Sequence, residues 1–352
     1  MTRKHWLRRA RQEGTPLFDD DAVTFVCFAD EEPILMGDFN LWGLGGTPYP
    51  ALQQPAPGVW TYTTDFPPDA YIEYTFTRSP DDPHARLLDP YNQRLVSTGF
   101  GEYNGSFAMP LFPLPGKRPR RLLGQLACFN IASFMIGPGK RRLWLYQPPV
   151  EHPVPLLVVY DGQDYLYRAH LPYMLERLAY GGRCAPVALA LLQNAGPHRF
   201  MEYAMSEALL VALLNDVLPL AQQYLNLLDP AQHPGAYGVA GASLGGLMAL
   251  YTALRLPHLF GRVISQSGSY HLRPGEQASL LLENLWQSQG PLRIWQDTGL
   301  YEWLRDTNRQ VSTLLKAAGH HLHYHEYHDG HNWTAWHRRL PDALTALFPT
   351  VS

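Results

Sequence analysis

The stretch YGVAGASLGGLMALYTALRL, residues 237–256, places a serine between a predicted strand and a predicted helix. Tyr237 to Ala240 is a short apolar run typical of a buried strand, and a helical apolar pattern follows Gly245. In this G-x-S-x-G motif, small residues two positions either side of Ser243 let the strand and helix pass closely. The helix N-terminus would direct N–H groups and a positive dipole at a developing oxyanion. The pattern predicts that Ser243 is a nucleophile, against the alternative of a glycine-rich strand end used only for packing.

Apolar runs and helical patterns alternate along the whole C-terminal part of the chain. The predicted strands include RLWLYQPP, PLLVVYDG, PVALALLQNA, AYGVAGAS, GRVISQSGS and LRIWQDTG. The predicted helices include YRAHLPYMLERLAY, EALLVALLNDVLPLAQQYL, GLMALYTALRL and WLRDTNRQVSTLLKAAG. Strands that are apolar on both faces and alternate with helices are typical of a mostly parallel sheet covered on two sides. We therefore predict an α/β domain over residues 122–352.

The N-terminal part of the chain has a different pattern. Short alternating strands, AVTFVCFA, PILMGDF, GVWTYTTDF and YIEYTFTRS, are separated by turn residues. This pattern predicts an all-β sandwich over residues 21–108, preceded by an amphipathic lead helix within residues 1–20. The proline-punctuated residues 109–121 are expected to be an interdomain linker.

Composition excludes several classes of protein. The chain has 352 residues, 46% hydrophobic and 17% charged, with a formal charge of −3 that favours neither nucleic acid nor an anionic membrane surface. Three scattered cysteines, Cys27, Cys128 and Cys184, indicate neither a disulfide framework nor a zinc ribbon. The basic N-terminus lacks the apolar core of a secretory signal, and no run of eighteen apolar residues occurs. We expect a soluble, cytoplasmic protein.

Six of the 15 histidines fall in HHLHYHEYHDGHNW, residues 320–333. His321, His323 and His325 would share one face of a strand and could bind zinc, although no second ligand cluster accompanies them. His331 instead follows an Asp-Gly turn after the strand has ended. In an α/β-hydrolase the triad follows the order Ser, acid, His, with the histidine beyond the last strand. We therefore predict that His331 is the general base and that no metal or cofactor is needed.

The triad acid should follow the strand in LRIWQDTGLYEWLRD. Asp297 lies at the end of that strand, Glu302 lies three residues past Gly299 in the loop, and Asp306 falls in the next helix. Glu302 is favoured and Asp297 remains the alternative, since either could orient the imidazole and stabilise the imidazolium.

The C-terminal part, from about residue 121, resembles the esterase family of enterochelin (ferric siderophore), feruloyl and acetylxylan esterases, S-formylglutathione hydrolase and mycolyltransferases. The matching motifs are VVYDGQDY (158–165), HRFMEY (198–203), the run 241–270, the G-x-x-E turn 299–302 and HDGHNWTAWHRRL (328–340). SQSGSY, residues 265–270, is most similar to the enterochelin esterase branch. The resemblance implies an α/β-hydrolase fold with Ser243, His331 and Glu302 as the triad.

The resemblance also implies an oxyanion site and a substrate site. The turn Asp161-Gly162-Gln163 would supply the second oxyanion element, with the backbone N–H groups of Gln163 and Leu244 as donors. Arg199 and Glu202 match the R-x-x-E segment, where an ion pair bracing a loop near the pocket is expected ahead of direct substrate contact. The residues expected to contact substrate are Asp161, Arg199, Tyr270 and Trp333.

The N-terminal part resembles the immunoglobulin-like modules of enterochelin esterases and the glycogen-binding modules of isoamylase-type enzymes. The matching residues are MGDFNLWG (36–43), Trp60, YIEYTF and LLDPYNQ (87–93). Trp42 and Trp60 could stack on a sugar, but tryptophans in a small sandwich more often belong to the core. The resemblance also implies that residues 98–106 could contribute a lid.

The leading hypothesis is a serine carboxylic-ester hydrolase that acts on a small-molecule ester of the ferric siderophore type. The alternatives are a feruloyl or acetyl polysaccharide esterase with a carbohydrate-binding module, and an acyltransferase that uses the same triad. A glycan-binding protein with Trp42 and Trp60 as its platform is the non-enzymatic alternative. The sequence does not define an oligomeric state.

Overall fold

A computed structural model describes residues 1–19, 22–98, 101–114, 116, 121–132, 139–270 and 290–350. Contacts divide the chain into two compact units. The first comprises Met1–Leu114 together with the segments Gly299–Trp303 and Glu326–Ala335, and the second comprises the remainder. Residues 115 and 117–120 of the predicted linker lie outside the described residues.

The first unit begins with a helix and continues as two antiparallel sheets. Helix α1, Arg3–Glu13, starts at Thr2, whose hydroxyl accepts from the backbone N–H of His5 at 3.4 Å. The strands are β1 Leu17–Asp19, β2 Ala22–Cys27, β3 Ile34–Gly37, β4 Gln53–Ala56, β5 Val59–Asp65, β6 Tyr71–Thr77, β7 Arg86–Leu87, β8 Leu95–Ser97 and β9 Tyr103–Ala108. One sheet has the order β1-β2-β5-β4 and the other β3-β6-β9-β8, with β7 beside β6.

The two sheets share one aromatic core. The ring of Phe25 on β2 lies 4.8 Å from Tyr74 on β6 and 5.8 Å from Phe107 on β9. Such edge-to-face rings bury a large apolar area with defined geometry, which explains why short strands suffice to hold the sheets together. Residues 103–106 of the segment expected to form a lid lie in β9, and residues 99 and 100 lie outside the described residues.

The second unit is built on an eight-stranded mixed sheet. Its strands are β10 Gln125–Ile131, β11 Arg141–Gln147, β12 Leu156–Val159, β13 Ala188–Leu192, β14 Tyr237–Ala242, β15 Phe260–Gln266, β16 Arg293–Gly299 and β17 His321–Tyr327. Their spatial order is β10-β11-β13-β12-β14-β15-β16-β17. The pairs from β13 through β16 are parallel, and β10 and β11 are antiparallel. The predicted mostly parallel sheet is confirmed.

Helices alternate with these strands. They are α2 Gly162–Tyr167, α3 Leu171–Tyr180, α4 Arg199–Tyr203, α5 Glu207–Ala212, α6 Leu218–Tyr224, α7 Leu244–Arg255, α8 Arg305–Ala317 and α9 Trp333–Leu347. Residues Leu213–Val217 form a π-helical turn that joins α5 to α6. In the described ranges, no single helix meets the length and apolarity needed to cross a membrane, although the bent pair Gly196–Tyr203 and Glu207–Tyr224 does so jointly.

Candidate active site

Ser243 lies in a strained turn between β14 and α7. Its backbone has φ 59° and ψ −123°, a region that non-glycine residues rarely occupy and that is often associated with functional sites. A Cβ at Gly241 would overlap the backbone oxygen of Gly245, so the approach of strand and helix requires glycine there. The N–H of Ser243 donates to the carbonyl of Gln266 at 2.9 Å. The surrounding structure thus holds the serine backbone in its strained conformation.

A second helix N-terminus begins beside that of α7. Asp161 has a left-handed φ of 54°, and α2 starts at the next residue. A Cβ at Gly162 would overlap the backbone of β13, so only glycine allows this turn to lie against the sheet. A Cβ at Gly245 would lie 3.0 Å from Oδ2 of Asp161, so the two helix starts are neighbours. N–H groups in the first turn of a helix have no intrahelical acceptor, and those of Gln163 and Leu244 occupy such positions.

An ion pair between Asp161 and Arg199 braces this region. Nε and Nη2 of Arg199 donate to the two carboxylate oxygens of Asp161 at 2.7 and 2.6 Å. Asn194 donates to the same carboxylate at 2.7 Å, and Nη2 of Arg199 also donates to the carbonyl of Ala242 at 3.3 Å. The bidentate pair therefore links the Asp161 turn to the residue before Ser243. Asp161 is buried, and both of its carboxylate oxygens accept hydrogen bonds that brace this turn.

The expected ion pair between Arg199 and Glu202 is wrong. Arg199 pairs with Asp161, and Glu202 receives a 2.7 Å hydrogen bond from Arg141. The Arg141–Glu202 pair is buried, whereas in the other pair Asp161 is buried and Arg199 is half-buried. The resemblance to the R-x-x-E segment implied a pair between these two residues, but each has a tertiary partner instead.

Glu302 and His331 are joined within the first unit. Nδ1 of His331 lies 2.6 Å from Oε2 of Glu302, and the N–H of Gly299 donates to Oε1. The Glu302 side chain is fully buried, whereas that of His331 is 13% exposed. A carboxylate that accepts from Nδ1 fixes the tautomer in which Nε2 can accept a proton. The ring of Trp303 lies 4.7 Å from the imidazole.

Asp297 has a different environment, within the second unit. Nη1 of the buried Arg339 donates to its Oδ1 at 2.8 Å, and Trp295 Nε1 donates to Oδ2 at 2.7 Å. Arg339 also donates to the hydroxyl of Ser267 at 3.4 Å. A fully buried aspartate that neutralises a fully buried arginine is best explained as a structural pair. The sequence did not indicate that Arg339 pairs with Asp297, since Arg339 lies in the final helix, 42 positions from its partner.

The structure also places the other candidate residues. Tyr270 is fully buried, and its hydroxyl lies 2.7 Å from that of Ser265. Trp60 donates to the carbonyl of Ala29 at 3.0 Å, and Trp42 donates to Asp38 at 2.9 Å, so both indole N–H groups are used inside the first unit. Trp333 begins α9, directly after the loop that carries His331.

The strand histidines lie where the alternating pattern predicted. His321, His323 and His325 share the exposed face of β17, and the ring of His325 stacks on Trp295 at 4.4 Å. Among the residues that the structure describes, no group of three or more His, Cys, Asp and Glu side chains could hold a metal ion.

Comparison with known proteins places this chain in a family. Residues 137–347 match the family model described as "Putative esterase". The iron(III) enterobactin esterase of Dickeya dadantii is 31% identical over 229 residues, 59% of this chain and 52% of that protein. The corresponding esterase of Escherichia coli K12 is 29% identical over 272 residues, 74% of this chain and 67% of that protein. The chain therefore aligns with about half the length of the Dickeya protein.

Solved structures share the fold. The enterobactin esterase of Shigella flexneri, crystallised with 2,3-dihydroxy-N-benzoyl-serine, matches with a TM-score of 0.76 at 23% identity and covers 98% of each chain. An S-formylglutathione hydrolase of Staphylococcus aureus matches with a TM-score of 0.52 at 17% identity, covering 66% of this chain and 99% of its own. The match to the Shigella structure therefore includes the N-terminal unit.

Proposed function

Because this chain belongs to the putative esterase family, we propose that it is an ester hydrolase and that Ser243, His331 and Glu302 form its catalytic triad. The strained backbone of Ser243 and the 2.6 Å bond between His331 and Glu302 support these roles. The bond to Glu302 carries the most weight, because a buried carboxylate on Nδ1 is what a serine hydrolase needs to orient its base.

The proposed reaction proceeds through an acyl-enzyme. Nε2 of His331 takes the proton of the Ser243 hydroxyl as its oxygen attacks the ester carbonyl, and then gives that proton to the leaving alcohol. The N–H groups of Gln163 and Leu244 stabilise the negative oxygen of the tetrahedral intermediate. Water, activated by the same histidine, then releases the acid and restores the serine. Arg199 contributes by holding the Asp161 turn and the Ser243 turn together.

Replacing Glu302 with glutamine is expected to lower kcat by roughly 10⁴-fold, because the amide favours the wrong tautomer of His331. Asp306→Asn is the matched control, since this acid lies four residues away, is 70% exposed and pairs only with nearby arginines among the described residues. Its kcat should stay near the wild-type value in a p-nitrophenyl ester assay.

Asp297→Asn tests the alternative acid. It should lower the free energy of unfolding, because the buried guanidinium of Arg339 loses its counter-charge, at a cost of about 3–5 kcal/mol. The folded fraction should keep its kcat. A large loss of kcat in folded Asp297→Asn, with Glu302→Gln active, would transfer the role of acid to Asp297.

We further propose that the substrate is a ferric catecholate siderophore ester; the Dickeya and Escherichia relatives, named iron(III) enterobactin esterases, support a siderophore substrate. The purified protein should convert a ferric catecholate trilactone into linear dihydroxybenzoyl-serine products, resolved by chromatography and mass spectrometry. A feruloylated xylo-oligosaccharide, with and without a sugar acceptor, tests the polysaccharide esterase and acyltransferase alternatives. Faster turnover of the xylo-oligosaccharide would refute the siderophore assignment.

The proposal also covers the division of the chain into domains. We propose that residues 21–108 form an immunoglobulin-like module and that residues 122–352 form the catalytic domain, joined by 109–121. The shared core of the two antiparallel sheets supports a sandwich. A cytoplasmic location would suit an enzyme that acts on an imported siderophore.

A further inference from the structure

The carboxylate of Asp38 is held tightly inside the first unit. Asp38 follows β3 and is 1% exposed. Its Oδ1 accepts from the indole N–H of Trp42 at 2.9 Å, and its Oδ2 accepts from the backbone N–H of Glu73 on β6 at 2.8 Å. These two donors fix the orientation of the carboxylate on the sheet.

The same carboxylate contacts both residues that flank His331. Nδ2 of Asn332 donates to Oδ2 of Asp38 at 3.4 Å. On the other side, a Cβ at Gly330 would overlap the Asp38 carboxyl group, so the backbone of Gly330 packs directly against it. The backbone of Gly330 is not in the left-handed region, so glycine is needed there for space alone.

The loop is anchored again before and after these contacts. The N–H of Tyr71 donates to the carbonyl of His328 at 3.0 Å, and the N–H of Tyr301 donates to that of Asp329 at 3.2 Å. Asn332 accepts from the N–H of Ala335 at 2.9 Å and so caps α9. Between these anchors, Asp38 contacts the residues on either side of His331.

We infer that Asp38 is a positioning residue for His331: it holds residues 330 and 332 so that the imidazole meets Glu302 in the reactive geometry. The inference rests on the proposed role of His331 as the general base. Asp38 can affect the rate without touching the substrate. A shift of about 1 Å in a catalytic group that it positions is enough to cost about 100-fold in rate. Residue 330, directly before His331, must then be glycine, because a Cβ there would overlap the Asp38 carboxylate.

Asp38→Ala is expected to lower kcat for a p-nitrophenyl ester by roughly 10- to 100-fold while KM changes by less than about threefold. Asp89→Ala is the matched control, since Asp89 lies in the same unit and accepts from the hydroxyl of Tyr74 at 3.0 Å. This control should keep its kcat even where its melting temperature falls. Wild-type kcat in folded Asp38→Ala would overturn the inference.

A double variant tests the contact itself. Gly330→Ala should lower kcat by at least about tenfold, because its methyl group would displace the loop from the Asp38 carboxylate. In Asp38→Ala/Gly330→Ala that overlap is gone, so the double variant should be no more than about threefold below Asp38→Ala alone. Fully additive losses would show that Asp38 and Gly330 act independently and would refute the positioning role.

Asn332→Ser provides the test if Asp38→Ala fails to fold. Serine is an equally good helix cap but is too short to reach Asp38, so kcat should fall about tenfold with little change in melting temperature. Unchanged kcat in this variant would refute the inference. Failure of the proposed function would be distinguishable from failure of this inference, because His331→Ala would then itself remain active.

Discussion

Ser243→Ala is expected to abolish ester hydrolysis, lowering kcat by roughly 10⁴- to 10⁶-fold, as the loss of a serine nucleophile does in other triad enzymes. The left-handed turn at this position already holds a residue with a side chain, so alanine should not disturb the fold. The measurement is kcat on a p-nitrophenyl ester, together with circular dichroism to show that the variant is folded.

Labelling with a fluorophosphonate provides the second readout. Wild type should gain one covalent adduct on Ser243 by mass spectrometry, and Ser243→Ala should gain none. Ser206→Ala is the control, because its hydroxyl caps α5. It should be labelled normally. More than a few per cent of wild-type kcat in Ser243→Ala would exclude the acyl-enzyme mechanism.

His331→Ala is expected to lower kcat by several orders of magnitude, because it removes the group that takes the serine proton. Its neighbours in the histidine-rich stretch supply the matched controls. His321→Gln, His323→Gln and His325→Gln should each stay within about tenfold of wild type, since these side chains lie on the exposed face of β17. The assay is the same ester hydrolysis, repeated with EDTA, which should not inhibit.

His328 differs from both groups. Its Nδ1 lies 2.7 Å from Oδ1 of Asp69, so its side chain belongs to the N-terminal unit.

If EDTA abolished activity and zinc restored it, or if a strand histidine proved essential while His331→Ala remained active, the assignment of the general base would be wrong.

Local pattern was enough to predict the strand-turn-helix at Ser243 and the mostly parallel sheet. Both depend on interactions between near neighbours in sequence: the glycines at 241 and 245 permit the turn, and the apolar runs determine which segments are buried. The alternating exposure of His321, His323 and His325 follows from the two-residue period of a strand in the same way.

Only the tertiary structure decided how the charged side chains are paired. Asp297 and Glu302 are close in sequence and both were candidates for the acid, with Glu302 favoured; in the structure one pairs with Arg339 and the other with His331. Arg199 likewise pairs with Asp161, 38 positions away, instead of Glu202. Asp38 lies 294 positions from Asn332, and its contact with Gly330 follows from close packing that no local pattern records. A buried charge takes the partner that the fold places beside it, because desolvation makes an unpaired charge too costly at any separation along the chain.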